Sequence, residues 1–175
     1  MLVRLAELLR DEGGLLATLV DQDGTVEDGA MRSRPGEIVS RGPRVRGRRE
    51  EYELLVEAIY EGYLLHYGTP RVVRSGEADL RLLVGDQLYA IGLARLVTLG
   101  DTEAVAELAD TITLSALAQS AGSPALADAV WEAGAHAVGW GATDEHRRAK
   151  DLAFAGAPEA VEAMRTSAAG RSAPR

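Results

Sequence analysis

Apolar residues recur at helical spacing over almost the whole chain after Glu50. Residues 50–67, 77–99 and 102–120 each place an apolar stripe along one side of a helix. Hydrophobic residues make up 46% of the chain but aromatic residues only 5%, so the core must be built from Leu, Ala and Val. Small side chains let helices approach closely, whereas sheet sandwiches favour β-branched and aromatic residues. The sequence therefore predicts an all-α fold, a bundle of six to eight helices.

Glycine, proline and capping residues divide the chain into segments. A short helix over 1–12 is followed by an apolar run, 15–20, that fits either a helical turn or a buried strand. Glycine and proline recur through 21–49 and predict a long loop. Asp101, Ser123 and Thr143 stand where helix N-caps are expected. We divide the chain into 1–49, a helix plus a Gly/Arg-rich loop, 50–166, the helical domain, and 167–175, a disordered tail.

The charge distribution limits the classes of partner. The net charge is −8, which argues against a dedicated nucleic-acid-binding protein. Residues 31–50 run against that trend, since seven arginines and two glutamates give this segment a net charge of +5. The chain has no cysteine, and no stretch is long and apolar enough to predict a transmembrane helix. We expect a cytoplasmic protein.

A short motif near the N-terminus offers one catalytic hypothesis. The sequence Asp21-Gln22-Asp23-Gly24-Thr25-Val26 resembles the nucleophile motif of haloacid-dehalogenase-like phosphotransferases. That resemblance implies a phosphatase in which Asp21 attacks phosphorus, Asp23 is the acid/base and magnesium bridges the carboxylates. The family fold requires several parallel strands, and residues 50–165 predict helices only. A polar turn, in which Asp side chains bond to the local backbone, explains the same residues.

A longer segment, from Glu50 to about Ala121, carries a second resemblance. Residues 82–94 read LLVGDQLYAIGLA and continue through RLVTLGD into the next helix. This stretch resembles polyprenyl diphosphate synthases, all-helical enzymes that join isoprenoid diphosphates, around their L-L-A-G-D-x-L helix. The resemblance implies a truncated version of that helical bundle. Residues 57–66 then correspond to the family helix that ends in H-D-D.

The magnesium-binding aspartates of that family are missing. His66 is followed by Tyr67 and Gly68 rather than by two aspartates, and no second D-D-x-x-D occurs downstream. In the family those carboxylates hold the magnesium that neutralises the leaving diphosphate. The resemblance therefore implies a non-catalytic accessory subunit, which helps a larger synthase subunit set product length. Magnesium is expected in that catalytic partner, and none is expected on this chain.

Two groups of residues are candidate sites under this resemblance. Arg44 and Arg46 lie where the family has a diphosphate-gripping loop, and with His66 they are the candidate substrate-binding residues. A solvated loop and a histidine that satisfies its helix end are the competing interpretations. Gly85, Asp86, Tyr89 and Gly92 are the candidate interface. Because the two glycines are seven residues apart, they share one helical stripe, which either another subunit or the chain's own core could contact.

The sequence leaves two alternative functions open. One is a stand-alone homodimeric helical binding protein without catalysis, and the other is the phosphatase that uses Asp21 and Asp23. The first keeps the same fold and needs no synthase partner. The second needs a parallel sheet with Asp21 at a strand tip.

Overall fold

The structure, a computed structural model, describes residues 1–20, 34–74 and 76–169. Within these ranges every regular element is an α-helix, which confirms the all-α prediction. The helices are α1 (Leu2–Glu12), α2 (Gly14–Leu19), α3 (Pro35–Ser40), α4 (Arg49–Tyr67), α5 (Ala78–Thr98), α6 (Thr102–Ser120), α7 (Pro124–Trp140), α8 (Asp144–Phe154) and α9 (Ala160–Ala169). None of them is both long and apolar enough to cross a membrane.

Helix α4 is the centre of the bundle and separates two apolar cores. One core lies between α4 and the helices α6 to α9, and the other lies between α4 and the helices α1, α2 and α5. Every α4 residue from Leu55 to Leu65 is buried. An ordinary surface helix buries one stripe only. Polar residues on α4 must therefore find partners inside the protein.

The predicted helix starts at Asp101 and Thr143 are confirmed. The Asp101 carboxylate accepts a hydrogen bond from the backbone N–H of Ala104 at 3.0 Å, and the Thr143 hydroxyl accepts one from the N–H of His146 at 3.1 Å. Each bond satisfies a donor that the first helical turn leaves unpaired. Ser123 precedes α7, but its side chain makes no capping bond.

Two predictions about irregular segments are wrong. The expected loop over 21–49 contains α3, which begins at Pro35 because proline suits the first helical position. The expected disordered tail from 167 begins inside α9, where Ser167 and Ala168 are buried. Their small side chains pack against neighbouring helices. Neither the polarity of Ser167 nor the small size of Ala168 indicates this tertiary contact in the sequence. The motif with Asp21 and Asp23 lies outside the described residues.

The apolar run 15–20, for which the sequence fitted either a helical turn or a buried strand, has a helical part and an extended part. Most of it forms α2, while Val20 makes an isolated antiparallel bridge with Val73, and the N–H of Arg74 bonds to the carbonyl of Leu19 at 2.9 Å. Ion pairs also attach α1 to the bundle, from Arg4 to Glu50 and from Glu12 to Arg95. The described part of 1–49 therefore packs on the helices that follow it.

Candidate functional site

His66 lies at the C-terminal end of α4, in contact with three of the predicted interface residues on α5. Its ring stacks on Tyr89, with centroids 5.4 Å apart and an interplanar angle of 4°. Its Nε2 atom lies 3.2 Å from the Asp86 carboxylate, within ion-pair distance, although its orientation makes no hydrogen bond there. The Nε2 atom also covers Gly85, where an added Cβ would lie only 2.5 Å away. The structure thus brings His66, Gly85, Asp86 and Tyr89 into one cluster.

This cluster continues into a connected group of aromatic rings. Tyr67 contacts His66 and Tyr63, and the rings of Tyr63, Tyr60 and Trp131 contact one another, with centroid distances of 4.9–5.8 Å between the paired rings. The Tyr63 hydroxyl accepts a hydrogen bond from Gln119 at 2.6 Å. Aromatic pairs in such offset or edge arrangements add stability beyond their buried area. The rings join α4 to α5 and α7.

The two predicted interface glycines face inward. Gly85 lies against Gly62 and His66, and Gly92 lies against Ile59 and the carbonyl of Leu55, all on α4. Because a Cβ at either glycine would collide with α4, these residues allow α4 and α5 to pack closely. Of the two interpretations left open by the sequence, the structure supports packing within the chain for Gly85 and Gly92.

The opposite side of α5 is exposed and largely apolar. Leu83 is 58% exposed and Val97 is 56% exposed, with the exposed Ala90 and Ala94 between them and the Asp86 side chain 71% exposed beside them. At 100° per residue these five positions fall in a stripe about 80° wide. We call this stripe the α5 outer face. Asp86 is therefore a solvated carboxylate at its edge and not a buried one.

Arg44 lies at the opposite end of the bundle from His66, and hydrogen bonds hold its side chain in place. Its guanidinium donates hydrogen bonds to the carbonyl of Val138 at 2.8 Å and to the carboxylates of Asp101 and Glu103 at 3.1 and 2.9 Å. Asp101 also accepts from the Tyr52 hydroxyl at 2.7 Å. Burial tends to raise the pKa of Asp101, but the bonds from Tyr52, the Ala104 N–H and Arg44 outweigh it and lower that pKa. Burial, followed by the bond to Asp101, raises the pKa of Tyr52 to about 12.

Replacing Asp101 with alanine is expected to lower the free energy of unfolding by about 1–2 kcal/mol, because α6 loses its N-cap and Arg44 and Tyr52 lose a partner. Since the pKa of Asp101 is lowered on folding, this contribution is present above the ordinary carboxyl range and is lost as the pH falls through the folded-state value. Urea unfolding at pH 7 and pH 3 measures both effects. Ser123→Ala is the matched control, because Ser123 occupies an N-cap position without a capping bond; an equal loss in both variants would contradict the prediction.

The candidate substrate-binding residues do not form one site. Tyr52, which shares Asp101 with Arg44, is fourteen positions before His66 on α4, a separation of about 21 Å along the helix. Arg46 is exposed on the loop that follows α3. A diphosphate spans only a few ångströms and so cannot contact both ends of α4. Binding by Arg44, Arg46 or His66 individually stays a prediction.

A buried group of charged residues, formed by two glutamates of α4 and an arginine between α4 and α5, was not recognised from the sequence. Glu61 is fully buried and accepts bonds from the backbone N–H groups of Arg71, Val72 and Val73 at 2.6, 2.7 and 3.3 Å. The Arg71 guanidinium lies 3.1 Å from Glu61 and 2.7 Å from Glu57. Burial alone would lower the pKa of Arg71, but the two carboxylates outweigh burial and raise it. The spacing of Glu57 and Glu61, four apart within an apolar helix, is the signal that could have indicated a shared partner.

This group bears on metal binding. The guanidinium of Arg71 lies between the two buried carboxylates, in the position that a cation would take, and it also lies over the Tyr60 ring. Nowhere in 1–20, 34–74 and 76–169 do three or more His, Asp or Glu side chains gather as a metal site would require. Whether magnesium acts on a partner chain stays a prediction.

A second buried polar group lies between α6, α8 and α9. Glu107 of α6, His146 and Lys150 of α8 and Ser167 of α9 contact one another there. No role was predicted for His146, because its partners come from helices distant in sequence.

Comparison of the chain with protein-family models, curated proteins and solved structures finds no match.

Proposed function

We propose that this protein is a non-catalytic helical subunit that assembles through the α5 outer face, as the accessory subunit of a polyprenyl diphosphate synthase. The observation that carries the proposal is the exposure of Leu83, Ala90, Ala94 and Val97 in one stripe of a helix whose other side already packs on α4. Exposed apolar stripes of this kind mark sites where another protein binds. The synthase partner follows from the resemblance of residues 82–101 to that family.

The shape of the α5 outer face suits a helical partner. Ala90 and Ala94 lie in the middle of the stripe, where small side chains let another helix approach closely, and the larger Leu83 and Val97 lie at its two ends. Leu83, Ala90 and Val97 are spaced seven residues apart, the repeat of helices that pack side by side. The Asp86 carboxylate at the edge offers an ion-pair partner at the rim.

The same spacing favours a second candidate, the stand-alone homodimer. Leu83 and Val97 are each seven residues from Ala90, so two antiparallel copies of α5 would place Leu83 of one copy against Val97 of the other. Such a contact is self-complementary, as a two-fold interface requires. The phosphatase hypothesis gains no comparable support, since the described residues contain no sheet and only the single bridge from Val20 to Val73.

The test mixes the purified chain with a polyprenyl diphosphate synthase subunit that has intact aspartates and comes from the same genome. We expect a stable complex by light scattering, and a change in the length of the prenyl product by mass spectrometry. The chain alone, given allylic and homoallylic diphosphates and magnesium, is expected to give no product. Turnover by the chain alone would refute the non-catalytic assignment.

Leu83→Asp is expected to weaken the complex at least tenfold, because it replaces the most exposed large apolar side chain of the α5 outer face with a charge. Leu117→Asp is the matched control, since Leu117 is 48% exposed on α6, outside the α5 outer face. Circular dichroism should show both variants folded. Equal weakening by the two variants would contradict the assignment of the interface. A dimer of the chain that forms no complex with the synthase would favour the second candidate, and a monomer without any complex would refute both.

A further inference from the structure

The charged residues of α5 are divided between its two sides. Asp79 and Asp86 are both exposed, and because they are seven residues apart they lie on the same side of the helix, that of the α5 outer face. The two basic residues of α5, Arg81 and Arg95, lie about 140° and about 180° around the helix from Asp86. On the side of the α5 outer face, α5 therefore carries negative charge and no positive charge.

Both basic residues of α5 are already bound within the chain. Arg81 donates a hydrogen bond to the carbonyl of Gly68 at 3.0 Å, and Arg95 donates one to the carboxylate of Glu12 on α1. To reach Asp86, either guanidinium would have to leave that partner and cross to the other side of α5. The cations of α5 are thus committed to contacts that leave its outer side unneutralised.

The two aspartates make no hydrogen bond within the described residues. The Asp86 side chain is 71% exposed, and Nε2 of His66 lies 3.2 Å from it without an orientation that makes a hydrogen bond. A partner that covers the apolar residues beside these carboxylates removes part of their water. Loss of that water is unfavourable unless a new partner replaces it. The molecule that covers the α5 outer face must therefore supply the missing donors.

A second copy of this chain does not supply a cation. If two copies of α5 pack antiparallel about Ala90, Asp86 of one copy lies opposite Ala94 of the other, and the neighbouring Arg95 lies on the far side of its helix. If they pack parallel, the two Asp86 carboxylates lie at the same level. The net charge of −8 also makes two copies repel each other. The charges favour a different protein, with a basic surface, over a homodimer.

We propose that the α5 outer face binds a helix of a different protein, and that this helix carries basic side chains seven residues apart, opposite Asp79 and Asp86. An apolar row beside those side chains would cover Leu83, Ala90 and Val97. The inference rests on the proposed function, in which the α5 outer face is an interface, and it adds the chemistry of the partner. Charges beside the apolar row of two packed helices determine which partner and which orientation are accepted.

The complex with the synthase subunit tests the charge pairing. Asp86→Arg is expected to weaken it at least tenfold, because it places two cations together, and Asp86→Asn about threefold, because it only removes an exposed ion pair. Added salt should weaken the wild-type complex more than the Asp86→Asn complex. Asp151→Arg is the matched control, since Asp151 is an exposed aspartate on α8, and it should bind as the wild type does. Circular dichroism should show all three variants folded.

The outcomes separate this inference from the proposed function. If Leu83→Asp weakens the complex but Asp86→Arg binds as the wild type does, the charge pairing is wrong and the proposed function stands. A homodimer of the chain that Leu83→Asp dissociates would also overturn the inference, because a second copy brings no cation to Asp86.

Two synthetic helical peptides test the inference without the synthase. They share a row of leucines at seven-residue spacing and differ only in carrying arginine or glutamate, also seven apart, beside that row. By calorimetry we expect the arginine peptide to bind at least tenfold more tightly, and the double variant Asp79→Asn, Asp86→Asn to lose most of this preference. Equal binding of the two peptides, or binding of neither, would overturn the inference. Preference for the arginine peptide without any synthase complex would support it and refute the synthase as the partner.

Discussion

Replacing Arg71 with methionine is expected to lower the free energy of unfolding by about 3–5 kcal/mol, because it leaves two carboxylates buried without their cation. Glu57 and Glu61 are 2% and 0% exposed, and the Arg71 guanidinium contacts both. Glu61 would retain its three backbone N–H donors, but Glu57 would keep only the N–H of Gly36. Urea denaturation at pH 7, followed by circular dichroism, measures the loss.

Two further variants make the Arg71 experiment specific. Arg46→Met removes an exposed arginine and should change stability by less than about 0.5 kcal/mol. Arg71→Lys keeps the positive charge but lacks the planar guanidinium that reaches both carboxylates. We therefore expect an intermediate loss in the free energy of unfolding. If Arg71→Met cost no more than Arg46→Met, the buried carboxylates would not depend on the guanidinium and the expectation would be wrong.

Replacing Gly42 with alanine is expected to destabilise the protein by about 2–4 kcal/mol, because an added Cβ overlaps backbone and not a movable side chain. The Cβ would lie well inside van der Waals contact with the carbonyl and Cα of Gly139 on α7. The loop after α3 approaches α7 closely at this point, where the N–H of Arg44 also bonds to the carbonyl of Gly139 at 3.0 Å. Thermal and urea unfolding of the variant measure the effect.

Gly47→Ala is a control on the same loop. An added Cβ at Gly47 has nothing within 4 Å, so the substitution should be neutral or slightly stabilising, because alanine restricts the unfolded chain. Both variants replace a glycine with alanine, at positions five residues apart. Only the Cβ added at Gly42 meets another helix. Similar losses in both would show that the loop tolerates neither side chain for a local reason, and would contradict the role assigned to the contact with α7.

Local signals in the sequence predicted the helices well. Apolar periodicity located α4 to α6, and Asp101 and Thr143 marked helix starts correctly, because a capping side chain bonds to the turn that immediately follows it. The errors occurred where local signals are weak. Short segments such as α3 and the end of α9 are helical because neighbours hold them, which neither proline nor alanine content reveals.

The candidate sites were less predictable than the helices. The spacing of Gly85 and Gly92 indicated a close helix contact, but only the structure identifies α4 as the partner. Glu61 and Arg71 are ten residues apart across a turn, and Glu107 and His146 are thirty-nine apart. No local pattern links such residues, because which side chains meet depends on how the helices cross.

The sequence by itself determined the helical class, most helix boundaries and the presence of a tightly packed α5, since each depends on residues close together along the chain. Only the tertiary structure decided which side of α5 remains exposed, which carboxylates are paired inside the bundle, and which histidine is enclosed. Burial and charge pairing are properties of several helices packed together, and they are defined only once those helices have docked.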